Sequence, residues 1–152
     1  MRVSAKADYA VRAAIELASA AGDHPVKGDR IAEAQEIPVR FLENILGELR
    51  HAGIVQSQRG SDGGYWLARP PEEITVAEVI RAAEGPLATV RGARPEDLDY
   101  HGDSEHLRDV WVALRANIRG VLETVTLADI AGRKLPPSVQ ELVDRPEVWE
   151  PH

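Results

Sequence analysis

Val39, Arg40, Glu43 and Asn44 fall at spacings of three and four, which places the four side chains on one face of a helix. Their chemistry matches the edges of base pairs. A guanidinium can pair with both acceptors of guanine, a carboxylate can accept from the cytosine amino group, and a carboxamide can bracket adenine. Further along, Arg59-Gly60-Ser61-Asp62-Gly63-Gly64 sets a single arginine beside glycines that let the backbone come close to a surface. Such a cation suits a narrow, electronegative minor groove, and Ser57 and Gln58 before it can reach phosphates. Each residue also has a plainer reading. Arg40 and Glu43 can pair on a solvated helix, Asn44 can be ordinary surface, and the glycine-rich segment can be a simple turn.

Other chemistries find little support. The glycine-rich segment lacks the Gly-Lys-Ser/Thr ending of a phosphate-cradling loop and precedes a strand, not a helix. No nucleophile–base pairing or HExxH spacing is present, and His24, His51 and His152 read as turn, helix end and tail, so an enzyme is not expected. The chain has no cysteine, which excludes disulfides, thiol switching and any thiolate-held iron–sulfur or zinc site. His101, Asp103, Glu105 and His106 have the side chains to hold iron or zinc. Their irregular, acidic segment favours solvated histidines, and neither a metal nor any other cofactor is expected.

These residues need elements to position them. Ser4 is placed to cap a first helix reaching about Ala20, with Tyr9, Ala13 and Leu17 at a spacing of four, and Gly22-Asp23-His24-Pro25 to end it. A short helix fits Asp29 to Gln35 and buries Ile31. After the break at Glu36-Ile37-Pro38 a longer helix runs from Pro38 to about His51, with Phe41, Leu42, Ile45, Leu46 and Leu49 on one side. Two strand-like runs, 54–58 and 65–68, flank the glycine-rich turn as a β-hairpin. Short helix, three-residue break, longer helix and hairpin make the order of a winged helix-turn-helix, whose second helix enters the major groove.

Beyond the linker at 69–73, Thr75-Val76-Ala77-Glu78 has the spacing of a capping box and opens a helix ending at Gly85-Pro86. Residues 87–104 read as a loop. Leu107, Val110, Trp111, Leu114, Ile118, Val121, Leu122 and Val125 then form an amphipathic helix of about 20 residues, roughly 30 Å long. Thr126 can cap one further turn, and 136–152 read as a short acidic tail of little order. The fold expected is mainly α with a small β-hairpin wing, divided into a DNA-binding unit (1–69), an effector loop with dimerisation helices (70–135) and the tail (136–152).

The net charge of −7 argues against a duplex partner until its distribution is seen. Residues 1–69 hold nine basic and nine acidic residues, whereas 70–152 hold nine and sixteen. A neutral half can present one basic face, and the acidic half is a poor surface for phosphates. Charges interrupt the N-terminus where a signal peptide would be apolar, and no stretch approaches a membrane span, so a cytoplasmic, nucleoid-associated protein is expected.

The segments Arg2-Val3-Ser4-Ala5-Lys6-Ala7-Asp8-Tyr9-Ala10-Val11-Arg12-Ala13, Ala52-Gly53-Ile54-Val55, Ile74-Thr75-Val76-Ala77-Glu78-Val79-Ile80 and Val125-Thr126-Leu127-Ala128-Asp129-Ile130 carry a further signal. With the wing Arg59-Gly60-Ser61-Asp62-Gly63-Gly64-Tyr65-Trp66-Leu67-Ala68, they resemble the Rrf-two family of bacterial regulators, the IscR-like proteins, over about residues 1–132. The resemblance implies a homodimer on a palindromic or partly palindromic operator in double-stranded DNA, usually as a repressor. It implies that Arg40, Phe41 and Glu43 face the major groove and Arg59-Gly60 the minor groove, with Lys6 and Tyr9 near the phosphate backbone. The helix at 107–125 would cross its two-fold mate. Sensor members of the family hold an iron–sulfur cluster on three cysteines in the segment equivalent to 89–106. This chain has none there, which points to a cysteine-free branch. Other members without clusters resemble regulators that bind a partner enzyme, which leaves a protein- or small-molecule-sensing role for the loop open. The alternative is a protein-interaction regulator that binds a metabolic enzyme, for example of sulfur metabolism, with weak affinity for DNA.

Overall fold

The computed structural model describes residues 1–20 and 24–152; Gly22 and Asp23 of the expected first turn lie outside them. Ser4 caps helix α1 (Ala5–Ser19) by accepting from the Ala7 N–H, and Ala10, Ala13, Ala14 and Leu17 turn inward. Helix α2 (Gly28–Gln35) ends where Glu36 takes a left-handed conformation, φ 52°. Ile37 then folds back, its N–H bonded to the Ala32 carbonyl at 2.9 Å, and Pro38 stands at the cap of α3 (Val39–His51), one residue outside the helix.

Helix α3 buries Leu42, Ile45, Leu46 and Leu49 almost completely. At about 1.5–3 kcal/mol for each such side chain, this row is enough to fix the helix's rotation. Phe41 departs from the expected apolar side and is 58% exposed. One position adds about 100° of rotation, and the four buried residues already complete the inward stripe.

Strands β1 (Val55–Gln58) and β2 (Gly64–Leu67) pair antiparallel with Val55 opposite Leu67. Val26 extends the hairpin's root through two 2.8 Å backbone bonds with Tyr65. Thr75 and Glu78 form the expected capping box at α4 (Val76–Glu84). A second box, Thr126 with Asp129, opens α6 (Leu127–Ala131), and the two caps lie side by side through bonds between Val76 and Val125 and between Ile74 and Leu127.

Helix α5 (Leu107–Leu122) is shorter than expected, 16 residues or about 24 Å. The chain leaves it so that Val125 can pair with Val76. The segment 87–104 is irregular yet anchored by buried Leu87, Pro95 and Leu98. The tail also differs from expectation: α7 (Pro137–Val143) starts on a proline and buries Val139 beside Val76 and Val125. The main core crosses residue 69, since Ile74, Val79, Ala83 and Leu127 join the side chains of α1–α3 in one cluster.

Candidate nucleic-acid interface

With its inner side fixed by four buried apolar residues, α3 turns Val39, Arg40, Phe41, Glu43 and Asn44 outward, all exposed. Val39 and Glu43 also line a shallow cleft with Gly28, Asp29 and Tyr65, between the start of α2 and the root of the wing. The outward face of α3 and the hairpin therefore adjoin.

Phe41 is braced by an aromatic neighbour. The Tyr9 ring meets it edge-on with centroids 6.3 Å apart, and the Arg12 guanidinium lies 4.9 Å from the Tyr9 centroid. Arg12 is itself held by Asp8 at 2.9 Å and by the Gln35 carbonyl at 2.5 Å. This stack ties α1 to the helix-turn-helix and holds the Phe41 ring at the surface beside exposed Val39. Lys6 is not a free cation: it pairs with Glu48 of α3 at 2.8 Å.

The wing is shaped by its glycines. A Cβ on Gly63 would lie 2.1 Å from the Gln58 carbonyl, and one on Gly64 would lie 2.6 Å from that of Val26. Gly60 has φ +103° with open space around it, so its constraint is conformational. Lys27, which the sequence reading missed, donates to the Ser61 carbonyl at 2.7 Å and ties the wing tip to α2. Only its position just before α2 could have marked it. The Ser57 hydroxyl accepts from Arg50 at 3.2 Å, and Gln56 accepts from Trp66 at 2.8 Å. Among the described residues Arg2, Lys27, Arg30, Arg40, Arg50 and Arg59 are exposed and have no ion pair. These six cations are free of ion pairs, and the same half also carries exposed, unpaired carboxylates such as Asp29, Glu33 and Glu43, in keeping with its net charge of zero.

A profile of the Rrf2 family, described as iron-dependent transcriptional regulators, matches residues 3–133. The chain belongs to the Rrf2 family. It is 54% identical over 144 residues to an HTH-type transcriptional regulator of Mycobacterium tuberculosis, covering 95% of this chain and 89% of that one. It is 34% identical to the regulator CymR of Bacillus subtilis over 86% of this chain and 90% of CymR. The solved structure of B. subtilis CymR, titled the global cysteine regulator, superposes with a TM-score of 0.74 at 33% identity, covering 88% of this chain and 98% of CymR. IscR of T. potens gives 0.70 at 34% identity, over 100% and 93%. These Rrf2 regulators share the winged helix-turn-helix described here.

The iron dependence of the Rrf2 family does not carry over to these residues. A cluster needs thiolates, and the chain has no cysteine. The side chains of His101 and His106 are 88% and 92% exposed and face separate carboxylates, Asp99 and Asp109. Among the described residues no three of His, Asp and Glu gather around a common point that could hold an ion.

The eight residues of the expected dimerisation stripe divide in this structure. Leu107 and Val110 are 36% and 55% exposed, and Trp111, Leu114, Ile118, Val121 and Leu122 are intermediate. Trp111 donates to the Tyr100 hydroxyl at 3.1 Å. Val121 and Leu122 pack against the chain's own second cluster, where Val125 is buried. No residue of α5 is fully buried within the chain. Also among the described residues, no helix is long and apolar enough to cross a membrane.

Proposed function

We propose that this transcriptional regulator is a sequence-specific repressor that binds a palindromic operator as a homodimer. The observation that carries the reading is the row Val39, Arg40, Phe41, Glu43 and Asn44, exposed together on a helix whose other side is locked in the core. In the major groove Arg40 takes guanine, Glu43 the cytosine amino group, Asn44 adenine, and Phe41 a thymine methyl. Arg59 enters the flanking minor groove, with Gly60 allowing the backbone to follow. Ser57 and the first-helix residues Lys6 and Tyr9 meet phosphates, Lys6 exchanging Glu48 for a phosphate oxygen.

The homodimer rests on α5. Leu107, Val110, Leu114 and Ile118 belong to neither core cluster and offer an apolar strip to a two-fold mate. Residues 1–69 then act as the reading head and 70–135 as its dimerising and effector-bearing support, with 136–152 closing the second cluster.

The test is selection of bound fragments from the source genome, followed by titration of an enriched site at two salt concentrations. A shared two-fold-symmetric site, bound tightly and losing affinity steeply with salt, is the expected outcome. Absence of enrichment, or affinity indifferent to salt, overturns the reading and favours a protein partner such as a metabolic enzyme.

A further inference from the structure

Four of the nine basic residues in the acidic segment 70–152 converge on one cavity. It has a volume of about 440 Å3 and lies between the end of α4, the segment 85–96 and α5. Arg81 comes from α4, Arg94 from the loop, and Arg115 and Arg119 from successive turns of α5. Leu87, itself buried, gives an apolar wall.

The carboxylates present do not balance these guanidiniums. Glu96 pairs with Arg115, and a single Glu123 is shared by Arg81 and Arg119. Among the described residues Arg94 has no ion pair within 4.0 Å. Two positive charges thus remain over around an open depression. Arg115 and Arg119 lie one helical turn apart on α5, so their guanidiniums stand on the same side of the helix. Arg115 is held with only 19% of its side chain exposed, so it cannot swing freely into solvent.

We propose that this cavity binds a small metabolite carrying two or more carboxylate or phosphate groups. Planar guanidiniums recognise both groups through paired hydrogen bonds, and the volume is that of a small-molecule site. Bound there, the ligand bridges α4 to α5 through Arg81, Arg94 and Arg115. Helix α4 packs on α1 and α3, so the site stands one element away from the outward row on α3.

The site is tested on the free full-length protein, without DNA, so its failure is separate from any failure of the DNA-binding reading. Citrate and inorganic phosphate are titrated calorimetrically at constant ionic strength. Saturable binding of at least one is expected; citrate alone identifies a carboxylate ligand, and phosphate alone a phosphorylated one. Arg94→Gln and Arg115→Gln should each weaken it about tenfold or more, the usual cost of one charge-assisted contact. Arg133→Gln, outside the cavity, should leave it unchanged. Arg94 contributes no ion pair to the fold, so that variant separates ligand binding from folding. No saturable binding of either anion up to ~10 mM, beyond the millimolar range of weak specific sites, overturns the proposal. Equal weakening by Arg133→Gln, or none by Arg94→Gln, does the same.

Discussion

At the residue scale, Arg40 and Arg59 differ in what surrounds them. Arg40 projects from a helix whose rotation is set by Leu42, Ile45, Leu46 and Leu49, so its removal should change which base is read. Arg40→Ala should cost about 1–3 kcal/mol on the operator and relax preference at one base pair, as measured by fluorescence anisotropy against single-base variants. Arg59 sits on a turn held by backbone bonds and by Lys27, and its removal should weaken all sites of similar groove width alike. Unchanged affinity for Arg59→Ala would place the wing off the duplex. Gly63→Ala forces a Cβ to within 2.1 Å of the Gln58 carbonyl, so the hairpin must open. Faster amide exchange in β1 and β2, with the core of α1–α3 unaffected, is the expected signature.

At the element scale, α4 and α6 are fixed by capping boxes and α5 is not. The His106 position before α5 makes no side-chain cap bond, and no residue of that helix is fully buried within the chain. An amphipathic helix so weakly held by its own chain gains most from a partner. Replacing both Val110 and Leu114 with glutamate should give monomers in sedimentation velocity while leaving the circular dichroism of the winged helix intact; a persistent dimer would move the interface off α5. Thr75→Ala should lower stability by about 1 kcal/mol in urea unfolding, because it strands the Glu78 N–H. The sequence showed both capping positions at this scale, since three-residue spacing is local. The helical period alone placed Phe41 on the buried side, because a run of adjacent apolar residues fits two neighbouring stripes, whereas the family resemblance faces it outward, where it lies.

For the whole molecule, acid stability follows from ion pairs that join distant segments. Burial would raise the Glu78 carboxyl, but hydrogen bonds from Thr75 and the charge of Arg69 outweigh it and hold its pKa below the ordinary 4.5. The Glu123 pKa is lowered too, first by the hydrogen bonds from Arg81 and Arg119. A depressed folded pKa contributes stability above the unfolded value, and this is lost as pH falls through the folded one. Unfolding midpoints should therefore be flat above about pH 4.5 and drop below it. Glu123→Gln should reduce that drop; an unchanged acid limb would show that Glu123 does not link α4 to α5 in solution.

The sequence by itself determined the winged helix-turn-helix, because helix periods, caps and a glycine-rich turn are local signals written within a few residues. It also identified the outward row on α3, since spacings of three and four fix a helical face. Tertiary structure alone decided which stripe residues the chain keeps for itself: Val125 is buried only because residues 76 and 125 pair across the fold. It alone ordered the tail through Val139, and it alone brought Arg81, Arg94, Arg115 and Arg119 to one cavity. Those contacts join residues tens of positions apart, and no local period records them.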